Sequence, residues 1–407
     1  MNVLILTPEF PPFSLGGVSV HASQIANMIC SHSSDNRAVV ITLINDKDRE
    51  DIELERNENR EIVRVNIYGK VNCNNEEEQF ILQNELIKDG IKFAKEHGML
   101  IDIDLIAVHG NFVAEAAIYS KTLLSVPLIY HAHTTYSFET IDKNGDISSS
   151  IITSYEYLLC EKSTHIIVVS EYLKKLLIDY FNTDGNKISI IGKGVDIHSY
   201  DEATVGNHNE FKVLYVGRIS KEKGIDVLLM AFRLFSRKYN VDSKLIIVGA
   251  ALDNMFLKEI KQKVSRLSLS DKVVFLGGKT QSEIIDIYKS CDLVVVPSYI
   301  ETFGRVAIEA MASKIPVAVS NVGGLGPLVE NMQTGFKFSV GSYTELMHII
   351  ELVYNGDVCI ENIVKNAYEY VRENFSIDKI FLDTMKVYNE ILSERTSNEN
   401  FGDISAS

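Results

Sequence analysis

Short apolar runs, each closed by glycine, proline or a polar turn, alternate along this chain with longer stretches of helical character. Val3–Leu6, Ala38–Ile44, Asp104–Val108, Pro127–Tyr130, His165–Val169, Lys212–Val216, Lys244–Val248, Val273–Phe275, Asp292–Pro297 and Pro316–Val319 are such runs. Brief contiguous stretches rich in Val and Ile mark strands buried on both faces of a parallel sheet. Helices are predicted over Val18–Cys30, Phe80–His97, Ile225–Tyr239, Asp253–Leu267, Gln281–Ser290, Tyr343–Tyr354, Glu361–Glu373 and Ile377–Ser393. Strand and helix thus alternate in two arrays, which predicts two doubly wound α/β domains. The polar stretch Ser199–Glu210 suggests the linker, giving domains 1–198 and 199–376. Asp46–Arg60 is densely charged and is expected to be a solvated loop. Glu61–Tyr68 alternates apolar with polar residues, as a strand near a sheet edge does. Asn72–Glu78 is polar and expected to be loop, and 394–407 is expected to be a disordered tail.

Composition narrows the function. A chain of 407 residues holds two or three domains on the usual scale. Its 55 acidic residues outweigh 40 basic ones, for a net charge of −15, which argues against a nucleic-acid partner. The five cysteines are scattered, with no CxxC pair, and predict neither a zinc site nor a disulfide framework. They read as reduced thiols of a cytoplasmic protein. No basic leader opens the chain and no run of eighteen apolar residues occurs, so neither a signal peptide nor a membrane span is expected.

The candidate chemistry lies at the ends of the predicted strands. After the run ending at Pro297 comes Glu301-Thr302-Phe303-Gly304, then a helical stretch carrying Glu309. In such a unit Glu301 and Glu309 can face one crevice, and the N–H groups of Thr302, Phe303 and Gly304 at a helix start suit an anion. Two carboxylates eight residues apart would by themselves be read as a solvated helix face. Gly217, Arg218, Lys221, Lys223 and Gly224 surround another helix start. Arginine can fork onto two phosphate oxygens and lysine adds a point charge, so this turn suits a diphosphate, although most such turns are ordinary surface. Gly16–Gly17 lies just before the first long helix, where the backbone can approach a ligand or simply turn. Neither this loop nor Gly249-Ala250-Ala251 supplies the spaced glycines of a dinucleotide site. His131 and His133 end the strand from Pro127; one of them, not both, is expected in a given cleft. An HxH pair can also bind a metal, but it needs further ligands and the neighbouring sequence offers none.

Glu301 to Ala312, ETFGRVAIEAMA, followed by PVAVSNVGG, resembles the signature of the family 4 glycosyltransferases (GT4, glycosyltransferase group 1). So does Gly217-Arg218, separated by five residues from Gly224, and the likeness runs over essentially the whole chain. The resemblance implies a GT-B fold: two Rossmann-like doubly wound domains facing across a cleft, with the helix 377–393 returning to the acceptor-binding first domain. It implies a retaining transferase that moves a sugar from a nucleotide-diphosphate sugar, a UDP-sugar being the first expectation, to a hydroxyl acceptor. Polysaccharide, glycolipid or glycoconjugate synthesis would be the setting, with a carbohydrate, lipid-linked or small-molecule acceptor and peripheral membrane contact if that acceptor is lipid-linked. No cofactor or metal is implied. Residue by residue, it assigns Arg218 and Lys223 to the diphosphate, Glu301 and His133 to the transferred sugar, with His131 the alternative histidine, and Glu309 to the ribose. Gly16, Gly17, Gly217, Lys279, Thr302, Phe303 and Gly304 complete the expected donor site, with the base held by the loop Gly277-Gly278-Lys279. Lys193 departs from the family's Asn-Gly-Val-Asp pattern at Gly192–Asp196, and the role of the usual asparagine is lost with it. A sugar-nucleotide epimerase of the same shape and a non-catalytic nucleotide-sugar-binding subunit are the competing readings; the first lacks a visible set of acids and bases, and the second should have lost some of Arg218, Lys223, Glu301 and Glu309.

Overall fold

The computed structural model describes residues 1–13, 17–70, 73, 75–136, 150–201, 210–239, 241–251 and 253–404, with side chains to 395. The chain divides into two compact units, Met1–Gly192 with Phe381–Ser407, and Lys193–Ile380. The second unit therefore begins at Lys193, within the segment expected to close the first domain.

The first unit is built on an eight-stranded sheet. Its strands are β1 (Asn2–Leu6), β2 (Arg37–Ile44), β3 (Ile52–Arg56), β4 (Arg60–Asn66), β5 (Leu105–His109), β6 (Leu128–Ala132), β7 (His165–Val168) and β8 (Ile188–Ile190). The order is β3-β4-β2-β1-β5-β6-β7-β8, parallel except where β3 pairs antiparallel with β4. Val3 to Leu6 and Leu105 to Val108 are wholly buried, as contiguous apolar runs at the centre of a covered parallel sheet must be. Helices α1 (Gly17–His32), α2 (Glu76–Glu96), α3 (Ala114–Leu124), α4 (Ile151–Lys162) and α5 (Glu171–Phe181) connect the strands. The charged stretch expected to be loop contains β3, and α2 starts four residues before its expected start, at Glu76, capped by the Asn75 side chain on the Glu78 N–H.

The second unit carries six parallel strands: β9 (Phe211–Val216), β10 (Ser243–Val248), β11 (Val273–Gly277), β12 (Leu293–Val296), β13 (Val317–Ser320) and β14 (Phe336–Phe338). Their order is β11-β10-β9-β12-β13-β14. Its helices are α6 (Ile197–Asp201), α7 (Ile225–Tyr239), α8 (Asn254–Arg266), α9 (Gln281–Lys289), α10 (Arg305–Ala312), α11 (Tyr343–Asn355) and α12 (Ile360–Phe375). Its core gathers Val213, Leu228, Phe232, Phe235, Leu293 and Val295. Helix α13 (Ile377–Ile404) runs out of this unit into the first; its backbone is helical through 394–404, where a disordered tail was expected.

In each sheet the winding reverses beside the first strand of the unit, between β1 and β5 and between β9 and β12. At such a switch point the loops leaving the two strands diverge and open a crevice at their carboxyl ends. Among the described residues no helix is long and apolar enough to cross a membrane.

Candidate active site

In the second unit the loops after β9 and β12 flank the switch point and bring the expected donor residues together. The β9 loop holds Gly217, Arg218 and Lys223, the last in a 3-10 turn, Lys221–Lys223. This turn is tied to the β12 loop by the Tyr299 N–H, which donates to the Glu222 carbonyl at 2.8 Å. Gly224 ends the turn at φ +65°, and a Cβ there would lie 2.0 Å from the Pro297 carbonyl oxygen. Only glycine lets the two loops approach this closely.

Lys223 Nζ donates to Glu301 Oε2 at 2.8 Å, both side chains being about four-fifths buried. Burial pushes the Glu301 carboxyl upward, but Lys223, Lys193 and the Phe303 N–H outweigh it and the net shift is down. Glu301 is thus an anion facing a cation, beside the start of α10. The Glu301 carbonyl also accepts from the Gly324 N–H at 2.9 Å, which fixes the loop against the turn after β13. Thr302 and Phe303 are buried, and the Phe303 ring packs edge-on to Phe375, so this residue reaches the site through its backbone. The Phe303 N–H points back at Glu301 Oε1, 3.5 Å away, rather than outward. Gly304 caps α10 at φ +115°.

Glu309 is 4% exposed and carries the most hydrogen bonds of these residues. Its carboxylate accepts from Arg305 Nε at 2.7 Å, Tyr288 OH at 3.2 Å and Gln281 Nε2 at 3.3 Å. Gln281 also donates to Tyr200 OH at 2.8 Å. Arg305, Gln281, Tyr288 and Tyr200 were missed from sequence. Arg305 left a signal, its four-residue spacing from Glu309 on one helix. Tyr200, 81 residues from Gln281, left none.

Other expected residues stand apart. Arg218 keeps 48% of its side chain exposed and is paired only loosely, at 3.7 Å, with Glu222, while its carbonyl accepts from Tyr215 OH at 2.6 Å. Lys221 is exposed. Lys279 lies on an exposed loop and is bound to Glu283 at 2.9 Å; with Thr280, it holds the Glu283 carboxyl down at about 2. Lys193, which replaces the family's asparagine, is half-buried. Its amine is pushed down to about 8, first by burial, then by the charge of Arg305, with Glu301 opposing and Lys223 adding to it.

In the first unit, Gly17 opens α1, whereas Gly16 lies outside the described residues. His133 follows β6 and is 3% exposed. Its Nε2 lies 3.3 Å from His109 Nδ1. His131 stacks on His109 with ring centroids 4.3 Å apart, and its Nε2 meets Tyr388 OH of α13 at 2.7 Å. Burial, with a smaller contribution from His165, holds the His131 imidazole down at about 3, and burial drives His109 well below its usual value. Residues two apart on a strand share a face, so both histidines of the HxH pair enter one cluster; the expectation that only one could do so is corrected. His21, on α1, completes it, its ring 5.1 Å from that of His133.

Residues 196–370 match the family described as "Glycosyl transferases group 1", and residues 15–199 match "Glycosyltransferase Family 4". The chain is 28% identical to an uncharacterized glycosyltransferase of Methanocaldococcus jannaschii over 405 residues, covering 95% of this chain and 98% of that one. Among solved structures it resembles sucrose-phosphate synthase from Thermosynechococcus elongatus, with a TM-score of 0.81 and 20% identity over 97% of this chain and 99% of the other. It also resembles Anabaena HepE, crystallised with UDP and glucose, with a TM-score of 0.74 and 22% identity over 95% and 99% of the two chains. These likenesses establish the fold as GT-B.

Proposed function

The chain belongs to the family 4, or group 1, glycosyltransferases, and on that premise we propose that its second unit binds a nucleotide-diphosphate sugar, UDP-linked, for transfer to a hydroxyl acceptor. The observation that carries the proposal is the buried Lys223–Glu301 pair that joins the carboxyl-end loops of β9 and β12, with Glu309 on the helix that follows the second loop. A cation, a buried carboxylate beside it and a second carboxylate held in a hydrogen-bonded cradle match the three parts of such a donor. Departure of the nucleoside diphosphate loads negative charge on its phosphates. Lys223, Arg218 and the N–H groups of Thr302 and Gly304 stabilise that charge, most strongly once water is excluded. Arg218 is free to swing, since its present pair with Glu222 is long and half-exposed; exposed pairs are worth about 1 kcal/mol or less. Glu309 accepts from the ribose hydroxyls, Glu301 from the transferred sugar, and the loop of Gly277 and Lys279 holds the base. In the first unit, Gly16, Gly17 and His133 are assigned to the substrates on the family resemblance alone.

Transfer proceeds with retention, the acceptor attacking on the face the diphosphate leaves, so neither carboxylate serves as a nucleophile as it would in a retaining glycosidase. The donor side needs no metal, because Lys223 and Arg218 supply the positive charge. HepE, crystallised with UDP and glucose, supports the choice of UDP. Five free cysteines suit the reducing cytoplasm, at the membrane face if the acceptor is lipid-linked.

Nucleotide release is the test: purified protein is mixed with UDP-, GDP- and ADP-sugars in EDTA, with thermal shift in parallel. One donor should stabilise the protein and be slowly hydrolysed, and Arg218→Ala should abolish hydrolysis. Release that appears only on adding a divalent ion removes metal independence. No response to any donor removes the donor site itself.

A further inference from the structure

The geometry points to a divalent transition-metal site in the first unit, formed by the imidazoles of His21, His109 and His133. The three come from distant parts of the chain, and the histidine pair alone could not reveal them. His21 rides on α1, His109 ends β5 and His133 follows β6, so all three collect at the switch point beside β1. They are 3%, 0% and 3% exposed. One ligand nitrogen from each lies within 4.8 Å of the other two, and among the described residues no other set of three His, Cys, Asp or Glu groups does this.

Tetrahedral bonds of about 2.0–2.1 Å to nitrogen set neighbouring ligand atoms about 3.3 Å apart. His109 Nδ1 and His133 Nε2 already stand at 3.3 Å. An N–H···N hydrogen bond would give the same separation, but it involves one pair, whereas the nitrogens of all three rings lie within 4.8 Å of one another. Buried polar nitrogens are costly when they serve packing alone. Among the described residues His109 Nε2 finds no hydrogen-bond partner, while the ring's other nitrogen, Nδ1, is the one turned toward His133. Three imidazoles and no carboxylate select zinc, cobalt, nickel or copper over magnesium or calcium. Neutral ligands also leave the ion its full positive charge. The fourth position falls to an oxygen from outside this set: water, a hydroxyl, or an anionic group of a substrate. The site stands or falls independently of the donor reading.

Cobalt is the probe. Full-length protein, stripped with EDTA and desalted, is titrated with Co²⁺, then competed with Zn²⁺, while visible absorption and thermal melting are followed. The expected result is one ion per chain, the intense visible bands of four-coordinate cobalt, their loss on adding zinc, and a saturating rise in melting temperature. His133→Gln and His21→Gln, first shown to be folded by circular dichroism, should each weaken binding at least tenfold; His198→Gln, on the exposed face of α6, should not. The inference is overturned if the wild-type protein shows no bands and no shift at saturating metal. It is equally overturned if binding persists unchanged in both His133→Gln and His21→Gln, which would place the ion elsewhere.

Discussion

Lys193 owes its properties to partners distant in the sequence. Its departure from Asn-Gly-Val-Asp was legible in the sequence, but its surroundings were not, because Lys223 lies in another loop of the second unit and Glu301 and Arg305 lie more than a hundred residues away along the chain. Glu309 behaves likewise: its place in the motif was legible, while the cradle of Tyr288, Gln281 and Arg305 was set by tertiary packing. The histidine pair was legible, but the two rings that join it, His21 of α1 and His109 of β5, are brought there only by the fold. The amine of Lys193, lowered to about 8, gives a pH prediction. Between about 8 and its ordinary value of 10.5 the unfolded chain binds the proton that the folded chain releases. Its contribution to stability therefore rises with pH across that window, and below pH 8 the charged amine destabilises the fold. Lys193→Met should melt higher than wild type at pH 7, with the gap narrowing as pH climbs past 8. A gap that stays constant to pH 10 would show that Lys193 is not strained by burial.

At the level of elements, buried parallel strands announced themselves. Val3–Leu6 and Leu293–Val296 are contiguous apolar runs because both sheet faces are covered. Strand β3, Ile-Glu-Leu-Glu-Arg, was unreadable for the opposite reason: it lies at a sheet edge, has no fully buried residue, and its charges read as loop. Two glycines make a controlled pair for the loops that shape the donor site. Gly224 and Gly277 both have positive φ, but a Cβ at Gly277 meets nothing within 4 Å, while one at Gly224 strikes the Pro297 carbonyl. Gly277→Ala should cost about 1–2 kcal/mol for backbone strain alone. Gly224→Ala should cost clearly more and also weaken donor binding, as thermal melts and nucleotide titrations would register. Equal costs would mean that the two loops yield more readily than their close approach suggests. In the first unit Tyr388 ties α13 to β6 through His131. Removing its hydroxyl in Tyr388→Phe leaves a buried nitrogen unpaired and should cost about 1–3 kcal/mol in denaturant unfolding. An unchanged midpoint would contradict that role.

For the whole molecule, two strand-helix arrays predicted two parallel-sheet domains, and the sheets confirm them. The position of the boundary was not legible, because Lys193–His198 are as polar and glycine-bearing as a linker yet pack with the second unit: the Val195 N–H donates to the Phe375 carbonyl at 2.9 Å. Nor was the length of α13, whose last turns carry Thr396, Ser397, Asn398, Asn400, Gly402 and Asp403, all of low helix propensity. A net charge of −15 sets the background against which the proposed anionic donor would bind. Binding then depends on local cations, and Lys223 is held ready by Glu301 rather than left in solvent.

Calorimetric titration of UDP into the full-length protein in EDTA, with Glu309→Gln and Lys223→Met alongside and their melting checked, tests the donor site most directly. Saturable binding in the wild type that weakens at least tenfold in each folded variant, a loss of about 1.4 kcal/mol or more, is the predicted result. Binding unchanged in both variants, or no binding of UDP, GDP or ADP by the wild type, would contradict it.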